Sequence, residues 1–310
     1  EQINVTSYSA TAVAVVTFEA FAGMWINAFI VSVICTAWVK TKTLNSYEKI
    51  FLVLGSSRFC FLCISWVNSL LTTIYSKHLH VHPTLEVVVS IYTFLNYFNL
   101  WVSACLCVFY CIKIATFRNS FFIYLKVKID RIVPWLLLGS VLFALAISIL
   151  AYDTGEKLHS KERNSTCPGN FQEEIIKMEK HLLQIYFITV FGYAASFMAV
   201  IFSALLLLFS LWRHKHHMQT NSMKDLSMDA HIKAMKTILS FFIMYSINFI
   251  CLVLTIIYSV KDENAMMFLV FSYLYAFPGV HSLILIFSNP KLKNTLLRIL
   301  PCAKCKVCMR

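Results

Sequence analysis

The chain has 310 residues, of which 59% are apolar and only 14% are charged, and its formal net charge is +12. Soluble globular domains carry about 25% charged residues, so this chain has too little polar surface to face water on all sides. The composition therefore excludes an ordinary soluble protein and indicates one that is embedded in a membrane.

Seven long apolar segments are predicted to cross the membrane as α-helices, because about 20 mostly apolar residues span a bilayer. In chain order they cover residues 12–38, 50–74, 87–110, 132–152, 182–211, 237–259 and 265–288. Their apolar residues run continuously instead of alternating, which favours helices over strands. We predict an all-α integral membrane protein, with residues 1–11 before the bundle, residues 12–288 forming seven transmembrane helices, and residues 289–310 forming a tail.

The basic residues indicate which side of the membrane each connection faces. Nineteen of the 27 lysines and arginines lie in the connections after the first, third and fifth segments and in the tail, and seven lie in the other connections. Because positive residues favour the cytoplasmic side, we expect the N-terminus outside and the C-terminus in the cytoplasm. The positive surface would then face anionic lipid headgroups and acidic partner proteins, and no nucleic-acid partner is expected.

Sequence motifs predict modifications on both sides of the membrane. The two N-x-S/T sequons, at Asn4 and Asn164, both lie in segments predicted to be external, where they would accept N-glycans. The tail places leucines opposite lysines and arginines, which predicts a short interfacial helix ending at Pro301. Cys302, Cys305 and Cys308 follow, either as palmitoylation sites or as free thiols. A zinc site would need a fourth ligand, and no histidine is near, so no metal is expected.

Charged and polar residues inside the apolar segments are candidates for function, because ionisable groups are costly there and usually face the bundle interior. Glu19 and Arg58 are the most deeply placed charges, and Asn27 in the first segment could share hydrogen bonds with Arg58. Two interpretations stay open for these residues. They form either a polar latch that rearranges when the protein changes state, or a static packing network.

The third segment carries a polar face in its outer half, since Tyr92, Asn96 and Asn99 follow one another at helical spacing. A buried amide needs a hydrogen-bonding partner. These residues therefore indicate either a ligand pocket or hydrogen bonds between helices.

Sequence motifs for catalysis are absent, since there is no glycine-rich phosphate loop, no H-E-x-x-H and no G-x-S-x-G. The cluster RHKHHM, which includes His214, lies in a basic loop. We therefore interpret it as a solvated interface and not as a metal site. His281 and Ser282 in the last segment have two possible interpretations, a proton site or a packed polar pair. We predict that the protein is not an enzyme and needs no cofactor.

Short motifs occur in order along nearly the whole chain. They are GMWINAFI, LGSSR, LWVSACLCVFYCIKIATF, WLLLGSVLF, LLLLFSLWRHKHHMQ, AHIKAMKTILSFF and HSLILIFSNPKLK, one on each predicted helix. In this order they resemble the bitter taste receptors, the type 2 taste receptor family of G protein-coupled receptors. The chain lacks the D-R-Y, C-W-x-P and N-P-x-x-Y motifs of other rhodopsin-like receptors, and the resembled family also lacks them.

The resemblance implies a receptor in the plasma membrane that binds small bitter agonists in an outer pocket and activates a gustducin-type, Gi-like heterotrimeric G protein. It places Asn96 on the family's pocket asparagine, and it places Tyr92, Asn248 and Phe271 at other pocket positions. Agonist contact would reorganise an activation network, which we expect to consist of Asn27, Arg58 and Ser282.

The resemblance also implies a cytoplasmic set that holds the inactive helices together or meets the G protein. Its members are Lys113, His214, His231 and Lys236. Two other functions remain as alternatives at this point. One is a pheromone receptor of the vomeronasal type 1 group, and the other is a seven-helix channel or transporter, which would need a continuous polar path.

Overall fold

The computed structural model describes residues 2–74, 84–115, 119–164, 190–210, 212–213, 239–254 and 264–307, and the regular structure in these ranges is helical. In chain order the helices are α1 (Gln2–Thr41), α2 (Ser46–Ile74), α3 (Thr84–Ile114), α4 (Ser120–Asn164), α5 (Val190–Ser210), α6 (Leu239–Leu254), α7 (Asn264–Ser288) and α8 (Pro290–Val307). The all-α prediction is confirmed.

Six of these helices, α1 to α5 and α7, are long and apolar enough to cross a membrane, and α6 is a shorter apolar helix in its described part. This confirms the prediction of a membrane bundle built on seven helices. Several helices are longer than their apolar segments. For example, α4 starts at Ser120 and ends at Asn164, because a helix closes its hydrogen bonds locally and continues beyond the hydrocarbon layer.

The bundle exposes apolar side chains and buries polar ones, which is the reverse of a soluble protein. Trp25 and Trp135 are 78% and 73% exposed, whereas Asn27 and His281 are fully buried. A lipid environment requires this distribution, because polar groups inside the bilayer must find partners within the bundle.

Helices α1 and α7 approach closely where two glycines face each other. A Cβ atom added to Gly279 would lie 3.1 Å from the Cα atom of Gly23. Small residues at such a crossing allow the two backbones to touch, and close backbone contact is a main source of helix association in membranes. This crossing holds Asn27, one turn along α1 from Gly23, near Ser282 on α7.

Helix α8 packs against the start of α2. Leu292 of α8 is buried in the same apolar cluster as Ile50 and Phe51 of α2. The Nζ atom of Lys291 lies 2.5 Å from Oε1 of Glu48, whose Oε2 accepts a 3.0 Å hydrogen bond from the backbone N–H of Asn45. Glu48 therefore caps α2 and connects α2 to α8 at what we call the α8 end of the bundle.

The prediction that Pro301 ends this helix is wrong, since α8 continues to Val307. A proline inside a helix removes one backbone hydrogen bond, but its fixed φ near −65° is itself helical, so the chain can continue in the same direction.

We expect Glu48→Ala to lower the free energy of unfolding by about 1 kcal/mol, the usual value of a helix cap. Glu48→Gln should have a smaller effect, because the amide oxygen can still accept from Asn45. The measurement is thermal unfolding of the purified full chain in detergent micelles, with exposed Glu156→Ala as the control. Equal midpoints for Glu48→Ala and Glu156→Ala would contradict the assignment.

Candidate ligand-binding site

Arg58 on α2 lies at the centre of a buried polar network. Its side chain is 1% exposed. Its Nη1 atom donates a 2.9 Å hydrogen bond to Oγ of Ser282 on α7, and its Nη2 atom donates a 3.0 Å bond to Oγ of Ser103 on α3. Nη2 also donates to Nδ1 of His281, which must be neutral to accept. One guanidinium thus connects three helices.

Asn27 extends this network to α1. Its Oδ1 atom accepts a 2.7 Å hydrogen bond from Oγ of Ser282, and its Nδ2 atom donates a 2.8 Å bond to the backbone oxygen of Gly23. The structure thereby brings together Asn27, Arg58 and Ser282, the three residues expected to form an activation network. Their contact is established by these bonds, and their role in activation remains a prediction.

His281 connects the same network to α6 through aromatic contacts. The ring of Phe241 meets the His281 ring edge-on at 4.6 Å between centroids, and the ring of Tyr245 does so at 5.5 Å. Phe277, one turn away on α7, stacks on His281 at 5.7 Å. Because these rings contact His281, a movement of α6 would displace the histidine that accepts a hydrogen bond from Arg58.

A cavity of about 270 Å³ lies between the helices and reaches this network. Its lining residues are Arg58, Phe61, Tyr92, Asn96, Asn99, Leu100, Ser103, Tyr193, Asn248, Leu252, Leu274, Phe277 and Pro278. On α3 the lining runs from Tyr92 to Ser103, a distance of about 16 Å at the helical rise. Because Ser103 bonds to Arg58, the cavity has a Tyr92 end and an Arg58 end.

The polar groups on the cavity wall are only partly satisfied. Asn96 donates from Nδ2 to the hydroxyl of Tyr193. Asn99 accepts a 2.5 Å bond from Oγ of Ser57, but its buried Nδ2 atom has no partner among the described residues. Asn248 is 8% exposed and forms no hydrogen bond with any residue that the structure describes. Buried polar groups normally have a hydrogen-bond partner, so these amides remain to be satisfied by water or by a guest molecule.

Three of the four predicted pocket residues, Tyr92, Asn96 and Asn248, line this single cavity. The fourth, Phe271, belongs to α7, and its side chain lies outside the described part of the chain. Residue-by-residue prediction missed Ser103 and Tyr193, which pair with Arg58 and Asn96. A serine and a tyrosine are common in membrane helices, so the sequence carried no signal for either one.

At the α8 end, Lys113 of α3 forms a 2.7 Å ion pair with Asp130 of α4. Both side chains are partly exposed, at 37% and 53%, and such a pair contributes about 0–1 kcal/mol to stability. The other three residues of the predicted cytoplasmic set, His214, His231 and Lys236, lie outside the described residues.

The predicted modification sites lie at or near helix ends. Asn4 is in the first turn of α1 and Asn164 is the last residue of α4, while Cys302 and Cys305 belong to α8. Cys308 lies outside the described residues. Within the described part of the chain, no group of three His, Cys, Asp or Glu side chains could hold a metal ion.

A membrane-spanning helical bundle with an internal cavity, joined to a polar network between its helices, has the architecture of a transmembrane receptor for small molecules. The sequence model of the taste receptor protein (TAS2R) family matches residues 5–304. The chain belongs to this family.

Individual taste receptors match over almost the whole chain. Taste receptor type 2 member 40 of Gallus gallus is 32% identical over 94% of this chain and 95% of its own length. Taste receptor type 2 member 2 of Homo sapiens is 30% identical over 93% and 95% of the two chains. Taste receptor type 2 member 104 of Rattus norvegicus is 31% identical over 94% and 95%.

Family membership decides between the classes that the sequence left open. The protein is a bitter taste G protein-coupled receptor, a multi-pass protein of the plasma membrane that binds small molecules and couples to a G protein. It is not an enzyme, and the family assignment excludes the pheromone-receptor and channel alternatives.

Proposed function

We propose that the cavity between Tyr92 and Arg58 is the agonist site for small bitter compounds, and that its occupation activates a gustducin-type G protein. The observation that supports this is the continuity of the cavity. The predicted pocket residues Tyr92, Asn96 and Asn248 line it, and the same space ends at Arg58. A ligand there would contact both the predicted pocket and the predicted network.

The proposed mechanism is a population shift between two packings of the bundle. A ligand shifts such an equilibrium only by the difference in its affinity for the two states. Arg58 holds α2, α3 and α7 together, and His281 carries contacts to α6. Agonist contact with the cavity wall would favour a different set of partners for Arg58, and α6 and α7 would move as a consequence.

The proposed topology places the N-terminus and Asn4 and Asn164 outside and the α8 end in the cytoplasm. Lys113, His214, His231 and Lys236 would then face the G protein or restrain the inactive state. Glycans on the two asparagines, palmitoyl groups on Cys302, Cys305 and Cys308, and anionic lipids beside the basic residues complete the proposal. The basic content of the connections and the tail supports this orientation.

The function is tested by expressing the full chain with a gustducin-like G protein and recording calcium responses to a broad panel of bitter compounds. We expect a concentration-dependent response that disappears when this G protein is omitted. A response that persists unchanged without it, or silence to the whole panel despite confirmed surface expression, would contradict the coupling and agonist proposal.

We expect Asn96→Ala to raise the agonist concentration for half-maximal response at least tenfold, because it removes a cavity amide and leaves the Tyr193 hydroxyl without its donor. Tyr193→Phe is the matched variant, since it removes the same hydrogen bond but keeps Asn96. A larger loss for Asn96→Ala than for Tyr193→Phe would indicate direct ligand contact. Equal losses would assign Asn96 a positioning role through Tyr193, and no loss in either would contradict the site.

A further inference from the structure

The Arg58 end of the cavity is rich in hydrogen-bond donors, and none of the described residues that line the cavity is acidic. Three of the five N–H donors of a guanidinium are used by Ser282, Ser103 and His281, so two remain without an acceptor among the described residues. The Nδ2 atom of Asn99 is a further buried donor, and no described residue accepts from it.

The charge of Arg58 is also uncompensated within the described part of the chain. All its hydrogen-bonding partners are neutral, and no lining residue of the cavity is an aspartate or glutamate. Glu19, a half-buried acidic residue between α1 and α7, accepts a 2.7 Å bond from Ser272 and does not line the cavity. Arginine stays protonated in proteins, so the cavity ends in a buried positive charge.

Buried charges are normally paired, because an isolated ion in a low-dielectric interior is costly. A guest that carries a negative group could supply the missing partner. The rest of the wall is mainly apolar and aromatic, with Phe61, Leu252 and Phe277 among its members. Such a wall favours a compact hydrophobic body next to the charged group.

We propose that the cavity selects organic anions, namely small aromatic carboxylates whose carboxylate lies at the Arg58 end and whose ring packs on the apolar wall. This inference rests on the proposed function, because it specifies the ligand class of the same cavity. Arg58 would thereby have two roles, as the centre of the helix network and as the recognition group for the ligand's charge. An anion bound to the two remaining N–H donors would share the guanidinium with Ser103 and Ser282, which links occupancy to the network.

The test compares three matched compounds on the purified full chain in detergent micelles, using the rise in unfolding temperature to obtain apparent Kd values. The probes are 2-naphthoate, its neutral methyl ester, and 2-naphthylmethylammonium, with the phenyl and biphenyl analogues covering smaller and larger rings. We expect the carboxylate to bind at least tenfold more tightly than the ester of the same ring system. We expect the ammonium compound to bind most weakly.

A charge variant locates the binding site. Asn248→Asp is nearly isosteric and would place a carboxylate on the cavity wall, where it would pair with Arg58 and repel an anionic ligand. We expect it to remove the advantage of the carboxylate over the ester. Asn119→Asp is the matched control, because the Asn119 side chain accepts a 2.9 Å bond from the Phe121 N–H at the start of α4, and an aspartate carboxylate also accepts this bond.

The outcomes separate this inference from the function on which it rests. If esters or ammonium compounds bind as well as the carboxylates, or if Asn248→Asp keeps the full carboxylate preference, the anion inference is wrong and the cavity remains a ligand site. If no probe of any charge shifts the unfolding temperature and no bitter compound evokes a response, the agonist-site proposal fails, and the anion inference fails with it.

Discussion

Arg58→Met is expected to abolish the response to every agonist that activates the unmodified receptor, and also to lower its stability. The substitution removes the guanidinium that connects α2 to Ser103, His281 and Ser282 on α3 and α7. Each buried polar group left unsatisfied costs about 1–3 kcal/mol. The measurement is a calcium concentration–response curve at matched surface expression, together with thermal unfolding of the purified protein.

Two variants control this experiment. Arg58→Lys keeps the charge, but an ammonium lacks the planar fork that reaches two serines at once, so we expect a partial response. Phe59→Met changes the adjacent residue, which is 38% exposed, and should leave signalling unchanged. Normal potency and efficacy for Arg58→Met at equal surface levels would show that the network is static packing and not a latch.

Gly279→Val is the second substitution expected to have a large effect, through the crossing of α1 and α7. A Cβ atom at this position would already lie 3.1 Å from the backbone of Gly23, and backbone cannot rotate away as a side chain can. Forcing extra atoms into a packed interface costs about 1–3 kcal/mol or more. We expect lower surface expression and a lower unfolding temperature. Displacement of α1 should also weaken signalling by separating Asn27 from Ser282.

Gly139→Val is the matched control, because a Cβ atom at Gly139 on α4 would meet nothing within 4 Å. That variant should be neutral or slightly stabilising, since glycine is a poor helix former. Gly23→Ala should be intermediate, because its new Cβ atom would meet the flexible end of Leu62 at 2.7 Å. Equal stability of the Gly279 and Gly139 variants would contradict the close crossing.

The polar network shows which functional residues a sequence pattern can predict and which it cannot. Asn27 and Arg58 stand out in the sequence because ionisable and amide groups are costly in apolar segments. Their hydrogen-bonding partners are less visible. Ser103 lies in a helix with other small residues, and nothing in its position along the chain indicates that it accepts from Arg58, because residue spacing sets the face of one helix and not the rotation of its neighbour.

The cavity shows the same limit. The helical spacing of Tyr92 and Asn96 predicts that they share a face, and the resemblance assigns that face to a pocket. Only the packed bundle brings Asn248 from α6 and Tyr193 from α5 to the same space. The residues of the connection between α5 and α6 that the resemblance assigns to the G protein side were predicted from motifs alone, and they remain predictions.

The sequence by itself determined the membrane location, the helical class and the family, because hydrophobicity, helix length and local motifs are properties of single segments. The tertiary structure alone decided which polar groups meet. It set the Arg58 partners, the contact of Gly23 with Gly279, and the position of the Arg58 charge at the end of a cavity whose described lining has no acid. The physical reason is that these features depend on the relative rotation and depth of packed helices, which arise from many weak contacts at once and from no single stretch of chain.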